Sequence, residues 1–171
     1  MLAIAALAGA AAGACAVRSV HANLEPGVNL SAYRAYDWAP VARRATGDPR
    51  LDNNTIVEQR IRQAVERELA PRGFERDASG AADLSVHYHV SVEERVDIAN
   101  VEPLEPCESC RPFVYDAGTL VIDLVDARTG KLLWRGWSEG NVSGIIENQR
   151  WMEERIDDAV ARILRQLPAR R

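Results

Sequence analysis

The chain has 171 residues, of which 47% are hydrophobic and 27% are charged, and its formal net charge is −4. This composition is typical of one globular domain and excludes a disordered protein. A negative charge without any run of Lys and Arg excludes a typical nucleic-acid-binding protein, whose affinity comes largely from cations that meet phosphates.

The first 14 residues predict a signal peptide. They are uncharged and rich in alanine, and they end in small residues immediately before Cys15. A transmembrane helix needs about 20 apolar residues, and Arg18 and His21 interrupt this run too early for one. A disordered, alanine-rich start is the alternative.

The residues at the end of this segment resemble a lipoprotein signal. Ala12-Gly13-Ala14-Cys15 is similar to the bacterial lipobox, in which the cysteine is diacylated and becomes the mature N-terminus. The resemblance implies palmitate or a similar acyl group on Cys15, with residues 15–30 as lipidated N-terminus and tether. Several acyl chains would hold the protein durably at a membrane. Ala16 is similar to the residue of the outer-membrane-sorted class, so we expect a bacterial outer membrane lipoprotein that faces the periplasm.

Residues 31–168 are predicted to form a single α+β domain, preceded by a first strand near Ser19 to Leu24. An aromatic segment with Tyr33, Tyr36 and Trp38 is expected to close over one end of the core.

The first helix is predicted after a cap at Asp52, Asn53 or Asn54, and Pro71 and Gly73 end it. Apolar residues at helical spacing form its inward stripe. They are Ile56, Val57, Ile61, Ala64, Val65 and Leu69.

Asp83 to Val92 shows the clearest alternation of apolar and polar residues and predicts a strand with one wet face. His87 and His89 lie on that polar face. Glu93 to Ala117 is expected to be a long loop, because it holds three prolines and two cysteines.

Thr119 to Val125 and Lys131 to Ser138 predict a β-hairpin around the turn residues Asp126 to Gly130. A second helix is predicted from Gln149 to Leu167. Its stripe contains Ile156, Val160, Ile163, Leu164 and Leu167. The order β-α-β-β-β-α predicts an antiparallel sheet of about four strands with two helices packed on one face.

Cys107 and Cys110, two residues apart, leave three interpretations open. In an exported protein they favour a local disulfide, which would contribute about 2 kcal/mol at most. A redox motif would need a helix that starts at Cys107, and the neighbouring prolines argue against that helix. A zinc site would combine Cys107 and Cys110 with His87 and His89, although a histidine pair on a strand is also typical of plain surface.

Catalysis is not expected. The sequence has no G-x-S-x-G, H-E-x-x-H, G-x-G-x-x-G or P-loop motif. A catalytic pair of carboxylates would have to come from acidic residues that are instead expected on hairpin turns and outer strand faces. These residues are Asp123, Asp126, Glu139 and Glu147.

Aromatic side chains supply the candidate binding surface, which is formed by Trp137, Trp38 and Tyr36. Core and rim packing is the alternative for such residues. Because Trp134 and Trp137 alternate along one strand, one of them is expected to lie away from the helices.

Several blocks of the sequence resemble the bacterial lipoproteins grouped as "domain of unknown function 4136", over about residues 20–168. The blocks are SAYRAYDW, ELAPRGF, ADLSVHYHV, GTLVIDLVDARTGKLLWRG and, at the end of the last helix, LRQLP. Positions that match the family's pattern are Gly118, Asp123, Asp126, Trp134, Arg135 and Gly136. The resemblance implies a small α+β envelope protein, usually lipid-anchored, and it implies no activity, cofactor or catalytic residue.

The expected function is therefore that of a non-enzymatic, lipid-anchored envelope protein with a structural or protein-binding domain. The alternative is a metal-binding or redox-responsive module at Cys107 and Cys110 with His87 and His89. A third possibility is a carrier of small ligands that uses the aromatic residues.

Overall fold

A mixed sheet forms one layer of the molecule and two helices form the other. The computed structural model describes residues 17–40, 45–97 and 113–169. Its main elements, in chain order, are β1 (Val17–Leu24), β2 (Ala35–Trp38), α1 (Thr55–Leu69), β3 (Glu75–Arg76), β4 (Leu84–Asp97), β5 (Phe113–Asp126), β6 (Leu132–Asn141) and α2 (Gln149–Leu164). Short 3₁₀ turns occupy Leu30–Ala32 and Ala70–Arg72.

The six strands lie in the order β1-β6-β5-β4-β2-β3. β1, β6, β5 and β4 are antiparallel neighbours, whereas β2 is parallel to both β4 and β3. The predicted α+β class is confirmed. The prediction of about four antiparallel strands is matched only in part, because β1, β6, β5 and β4 are antiparallel but β2 and β3 extend the sheet to six strands with parallel pairing. β2 and β3 are only four and two residues long, so neither shows a periodic pattern in the sequence.

Helix α1 buries one stripe against the sheet and α2. The side chain of Asn54 caps it by accepting hydrogen bonds from the backbone N–H groups of Ile56 and Val57, at 3.0 and 3.2 Å. The stripe is buried as predicted except at Ile56, which is 48% exposed. Ile56 directly precedes buried Val57 in the first turn, so the two side chains cannot share one helix face.

Helix α2 begins after Asn148, whose side chain accepts a hydrogen bond from the N–H of Trp151 at 3.1 Å. The helix ends at Leu164, and Leu167 is buried beyond its end. Each fully buried Leu, Ile or Val of the two stripes contributes roughly 1.5–3 kcal/mol. Neither described helix has the length and hydropathy that are needed to cross a membrane.

Strands β4 and β5 pair without interruption from Leu84 and Asp126 to Asp97 and Phe113. The loop predicted from Glu93 to Ala117 is therefore wrong at both ends, because five residues on each side belong to the strands. Val96 and Val114 are paired there and are 54% and 50% exposed. The charged residues before Val96 broke the apolar alternation on which the prediction depended.

The turn between β5 and β6 is organised by Asp126. Its Oδ1 accepts hydrogen bonds from the backbone N–H groups of Thr129 and Arg128, at 2.7 and 3.0 Å, and its Oδ2 accepts one from the Tyr33 hydroxyl. These bonds, led by the one from Thr129, lower the pKa of the Asp126 carboxyl. Gly130 closes the turn with φ +71°, a conformation that favours glycine.

Gly136 allows α2 to approach the sheet closely. A Cβ at this position would overlap the ring of Trp134 and lie 2.6 Å from Ile163 Cγ2. Trp134 and Ile163 are 1% and 0% exposed, so neither can move aside cheaply.

We predict that Gly136→Ala lowers the free energy of unfolding by about 1–3 kcal/mol, because overpacking a dense core forces strain. Gly118→Ala is the matched control. Its Cβ would meet Val142 Cγ1 at 2.7 Å, but Val142 is only half-buried and can shift. Urea unfolding measures both, and an equal or larger loss for Gly118→Ala would contradict the packing described for Gly136.

Candidate functional site

One face of the sheet packs against the helices, and the opposite face carries the chemically distinctive side chains. Buried Leu84, Val86, Leu120, Ile122 and Leu124 point to the helices. Because side chains alternate along a strand, their neighbours point the other way. We call this second surface the helix-free face; its central residues are Ser85, His87, His89, Val121, Asp123, Arg135, Trp137, Asn23 and His21.

Trp137 and His21 form the aromatic pair of the helix-free face. They are direct cross-strand partners on β6 and β1. Their rings stack with centroids 5.2 Å apart and an interplanar angle of 27°. His21 is exposed and Trp137 is half-buried, whereas Trp134 faces the core. The prediction that one of the two tryptophans lies away from the helices is confirmed.

Asp123 and Arg135 form a bidentate ion pair beside the aromatic pair. Arg135 Nε and Nη2 donate to the two carboxylate oxygens at 2.7 and 2.6 Å. The Asp123 side chain is only 6% exposed, whereas 45% of the Arg135 side chain is accessible. The hydrogen bond to Asp123 raises the pKa of Arg135, so the guanidinium keeps its charge. The pair places a fixed cation at the surface above a buried carboxylate.

Ser85, His87 and Asp123 are neighbours, but they do not form a catalytic triad. Ser85 Oγ lies 3.3 Å from His87 Nε2, and Asp123 is the cross-strand partner of His87. Both Asp123 oxygens bind Arg135 instead. Within the described residues no hydrogen bond joins Asp123 to the imidazole, so the histidine lacks the acid that would orient it as a base.

Tyr36 and Trp38, predicted as parts of the binding surface, lie in the core. They are 2% and 9% exposed, because β2 inserts beside β4 and turns both rings toward α1. Trp38 Nε1 donates to Glu66 at 3.0 Å, and the Arg62 guanidinium lies over its ring. Burial raises the pKa of Tyr36 to about 12. Of the three predicted surface aromatics, only Trp137 lies on a face that the helices leave open.

The described residues include only the two histidines of the predicted zinc site. His87 and His89 point to the same face of β4, whereas Cys107 and Cys110 lie outside the described residues, as does Cys15. β4 carries the chain about 27 Å from His89 to Asp97 at ~3.4 Å per residue, and a zinc site would require the chain to return over that distance. No group of three metal-binding side chains occurs in residues 17–40, 45–97 and 113–169. The disulfide and the zinc site stay predictions.

The family model described as "Domain of unknown function (DUF4136)" matches residues 20–169. The chain belongs to this family. The match covers nearly all of the described structure, including both strands of the helix-free face that hold Asp123 and Arg135. No curated protein matches the chain.

Solved structures share the fold of this DUF4136 domain at low sequence identity. A PDZ domain protein from Parabacteroides distasonis ATCC 8503 matches with a TM-score of 0.58 and 14% identity, over 87% of this chain and 35% of that one. A PelC variant dodecamer from Paraburkholderia phytofirmans matches with a TM-score of 0.51 and 14% identity, over 90% of this chain and 98% of that one. The DUF4136 domain thus spans about a third of the PDZ domain protein, and both likenesses concern the fold alone.

Two features of the DUF4136 domain were not predicted from its sequence. The Asp123–Arg135 pair was not predicted because Asp123 was expected to be an ordinary charge on an outer strand face, although a carboxylate inside an apolar strand is an available signal. An apolar cavity lies between the first halves of α1 and α2, and its lining includes Val57, Leu120 and Ala159. It was not predicted, because its lining residues come from separate elements and no local sequence pattern indicates a cavity. Asp123 and Arg135 are the acidic and the basic residue among the central residues of the helix-free face.

We predict that Asp123→Asn lowers the free energy of unfolding by about 1–3 kcal/mol, because a nearly buried carboxylate that accepts two charged hydrogen bonds is lost. Asp158→Asn is the control, since Asp158 and Arg162 form an exposed i,i+4 pair that is worth less than about 1 kcal/mol. Equal unfolding midpoints in urea for the two variants would show that the Asp123–Arg135 pair is not a stabilising contact.

Proposed function

We propose that this protein is a non-enzymatic, lipid-anchored component of the bacterial cell envelope whose domain binds another envelope protein through the helix-free face. The partner surface would offer an apolar or aromatic group to Trp137 and an acidic group to Arg135.

The observation that carries the proposal is the combination of Trp137 and Arg135 on the same face of β6. Tryptophan and arginine are the residue types that most often dominate binding energy at protein interfaces. Trp137 is braced by His21, and Arg135 is held in one orientation by Asp123. A rigid anchor loses little side-chain entropy when it binds, which favours a binding role for this face over a plain solvated one.

The proposal of a binding role without catalysis is supported by the chemistry of the same face. Among the described residues, the contact between Ser85 and His87 has no orienting carboxylate from Asp123, because Arg135 occupies both oxygens of Asp123. The sequence contains none of the common hydrolase or nucleotide-binding motifs.

The proposed anchor would place the sheet close to the membrane. Cys15 precedes β1 by two residues, and two extended residues span at most about 7 Å. Acylation of Cys15 would therefore hold the outer edge strand near the bilayer surface. His21 lies in that strand, so the helix-free face would be presented at the membrane rather than at the end of a long tether.

The anchor is tested by replacing Cys15. We predict that palmitate is incorporated into the wild-type chain in growing bacteria, and that Cys15→Ala abolishes both labelling and membrane association. Cys107→Ala is the control and keeps the label. Labelling that survives in Cys15→Ala, or that is absent from the wild type, would refute lipidation at this residue.

The binding face is tested by photo-crosslinking in intact cells. A photoreactive phenylalanine derivative at Trp137 is expected to give a light-dependent adduct with another envelope protein. The same derivative at Trp151 is the control, because Trp151 is 56% exposed but lies on α2, on the opposite side of the sheet. Loss of the adduct at position 137 when Arg135→Ala is introduced as well would support the proposal that the partner offers an acidic group to Arg135.

Equal adducts at the two positions, or none at Trp137, would contradict the assignment of the helix-free face. Adducts between two copies of this chain would show that the helix-free face binds a second copy and not a different envelope protein.

A further inference from the structure

A cavity of about 90 Å³ lies between the sheet and the first halves of α1 and α2. Its buried floor is formed by Val57 and Ile61 of α1, Leu120 of β5 and Ala159 of α2. Its half-buried rim includes Met152, in the first turn of α2. The cavity is therefore closed at the helix-sheet interface and opens where α2 begins.

The lining of the cavity accepts hydrocarbon and disfavours polar groups. Of the three buried polar residues of the described chain, Ser138 alone reaches the lining. Glu139 is paired with Arg95 at 3.1 Å, and Arg155 also has an interaction within the chain, so neither charged residue of the lining is free. A ligand that placed polar atoms inside would lose their hydration without gaining partners, whereas a hydrocarbon segment gains from burial.

The volume limits the size of the buried segment. About 90 Å³ corresponds to roughly three molecules of liquid water at ~30 Å³ each. This space takes the last few carbons of a chain, and it is smaller than the ~150 Å³ cavity known to bind benzene. The remainder of a longer chain would leave through the rim.

The beginning of β1 lies beside this cavity. Val17, the first residue of β1, is the cross-strand partner of Gly140, and Gly140 lines the cavity. Val142 and Ile145, which follow directly after β6, line it as well. The N-terminal part of the chain therefore reaches the sheet at the end of β6 where the cavity lies.

Covalent geometry limits the distance between Cys15 and the cavity. Two residues separate Cys15 from Val17 by at most about 7 Å, and paired residues of antiparallel strands have Cα atoms about 5 Å apart. The Cα atom of Cys15 is therefore at most about 12 Å from that of Gly140. One leaflet of a bilayer core is about 15 Å thick, half of the whole core, so an acyl chain of that length reaches the cavity.

We propose that the end of one acyl chain of the lipid on Cys15 binds in this cavity, with its last carbons among Val57, Ile61 and Ala159. This inference rests on the lipidation of Cys15 that is part of the proposed function. The other acyl chains of the same lipid would stay in the bilayer. The cavity lies on the opposite side of the sheet from the helix-free face, so the chain end and a protein partner would not compete.

The protein's own acyl chain is favoured over a free lipid for this position. Covalent attachment beside the rim gives the chain a high effective concentration at the cavity, provided that the linker spans the distance. The bilayer core and the cavity are both apolar, so a chain end exchanges between them at little cost, whereas exposure to water is unfavourable.

The test uses the wild-type lipoprotein purified from bacterial membranes in a perdeuterated detergent, so that the detergent gives no proton signal. Nuclear Overhauser contacts are expected between the acyl chain and the methyl group of Met152. This signal is readily assigned, because the other methionine of the chain is Met1.

A pair of variants on α2 tests whether the chain end enters the floor. Ala159→Leu is expected to abolish the contacts to Met152, because the larger side chain fills the cavity. Ala161→Leu is the control and is expected to keep them, since it adds the same atoms to the same helix outside the cavity. Contacts that persist in Ala159→Leu would contradict the proposed position.

Mass spectrometry of the wild-type sample separates this inference from the lipidation on which it rests. An acyl mass on Cys15 without any contact to Met152 would overturn the inference and leave the lipidation intact, whereas the absence of an acyl mass would overturn both. If a protonated detergent gives the contacts to Met152 and the anchor does not, the cavity binds free amphiphiles, and the assignment to the protein's own acyl chain is wrong.

Discussion

The fold depends on the contact between Trp134, Gly136 and Ile163. Trp134 is the largest fully buried side chain of the described residues, and it lies on β6, the strand that joins β1 to the rest of the sheet. Gly136, two residues after Trp134, has no side chain, so the Trp134 ring and Ile163 of α2 can pack over β6. Because α2 is positioned by this contact, α1 is positioned in turn through its contacts with α2, which include the Arg60–Asp157 ion pair.

The position of α2 also gives the sheet its two different faces. Helix burial assigns every second residue of β4, β5 and β6 to the core, and the residues between them become the helix-free face. All three histidines of the chain, the Asp123–Arg135 pair and Trp137 lie on that second face. If the pairing of β6 were shifted by one residue, its core residues and its residues on the helix-free face would exchange places. The packing that stabilises the fold therefore also determines which side chains lie on the helix-free face.

Sequence periodicity predicted the elements in which apolar residues recur at regular spacing. The stripes of α1 and α2, the Asp83–Val92 alternation and the β5–β6 hairpin were all recognisable, because each residue's burial there follows from its own spacing. β2 and β3 were not recognisable, since four and two residues cannot show a period and their pairing with β4 is a tertiary contact. The ends of the long hairpin were missed because Glu93, Glu94 and Arg95 are exposed strand residues, and their charge interrupts the apolar alternation.

The proposed binding surface was only partly predictable for the same reason. Trp137 could be placed by its alternation with Trp134, but Tyr36 and Trp38 could not, because their burial depends on the unpredicted strand β2. The cavity depends on Val57, Leu120 and Ala159, which come from three separate elements. Such sites arise from the assembly of elements, and no single stretch of sequence contains them.

The central claim is that the helices cover one face of the sheet and leave the opposite face for a protein partner. Hydroxyl-radical footprinting, carried out on purified protein and on intact cells, tests it most directly. We predict that Trp134 is unmodified in both, that Trp151 is modified equally in both, and that Trp137 is modified in the purified protein but protected in cells. Modification of Trp134, or equal modification of Trp137 in the two samples, would contradict the account.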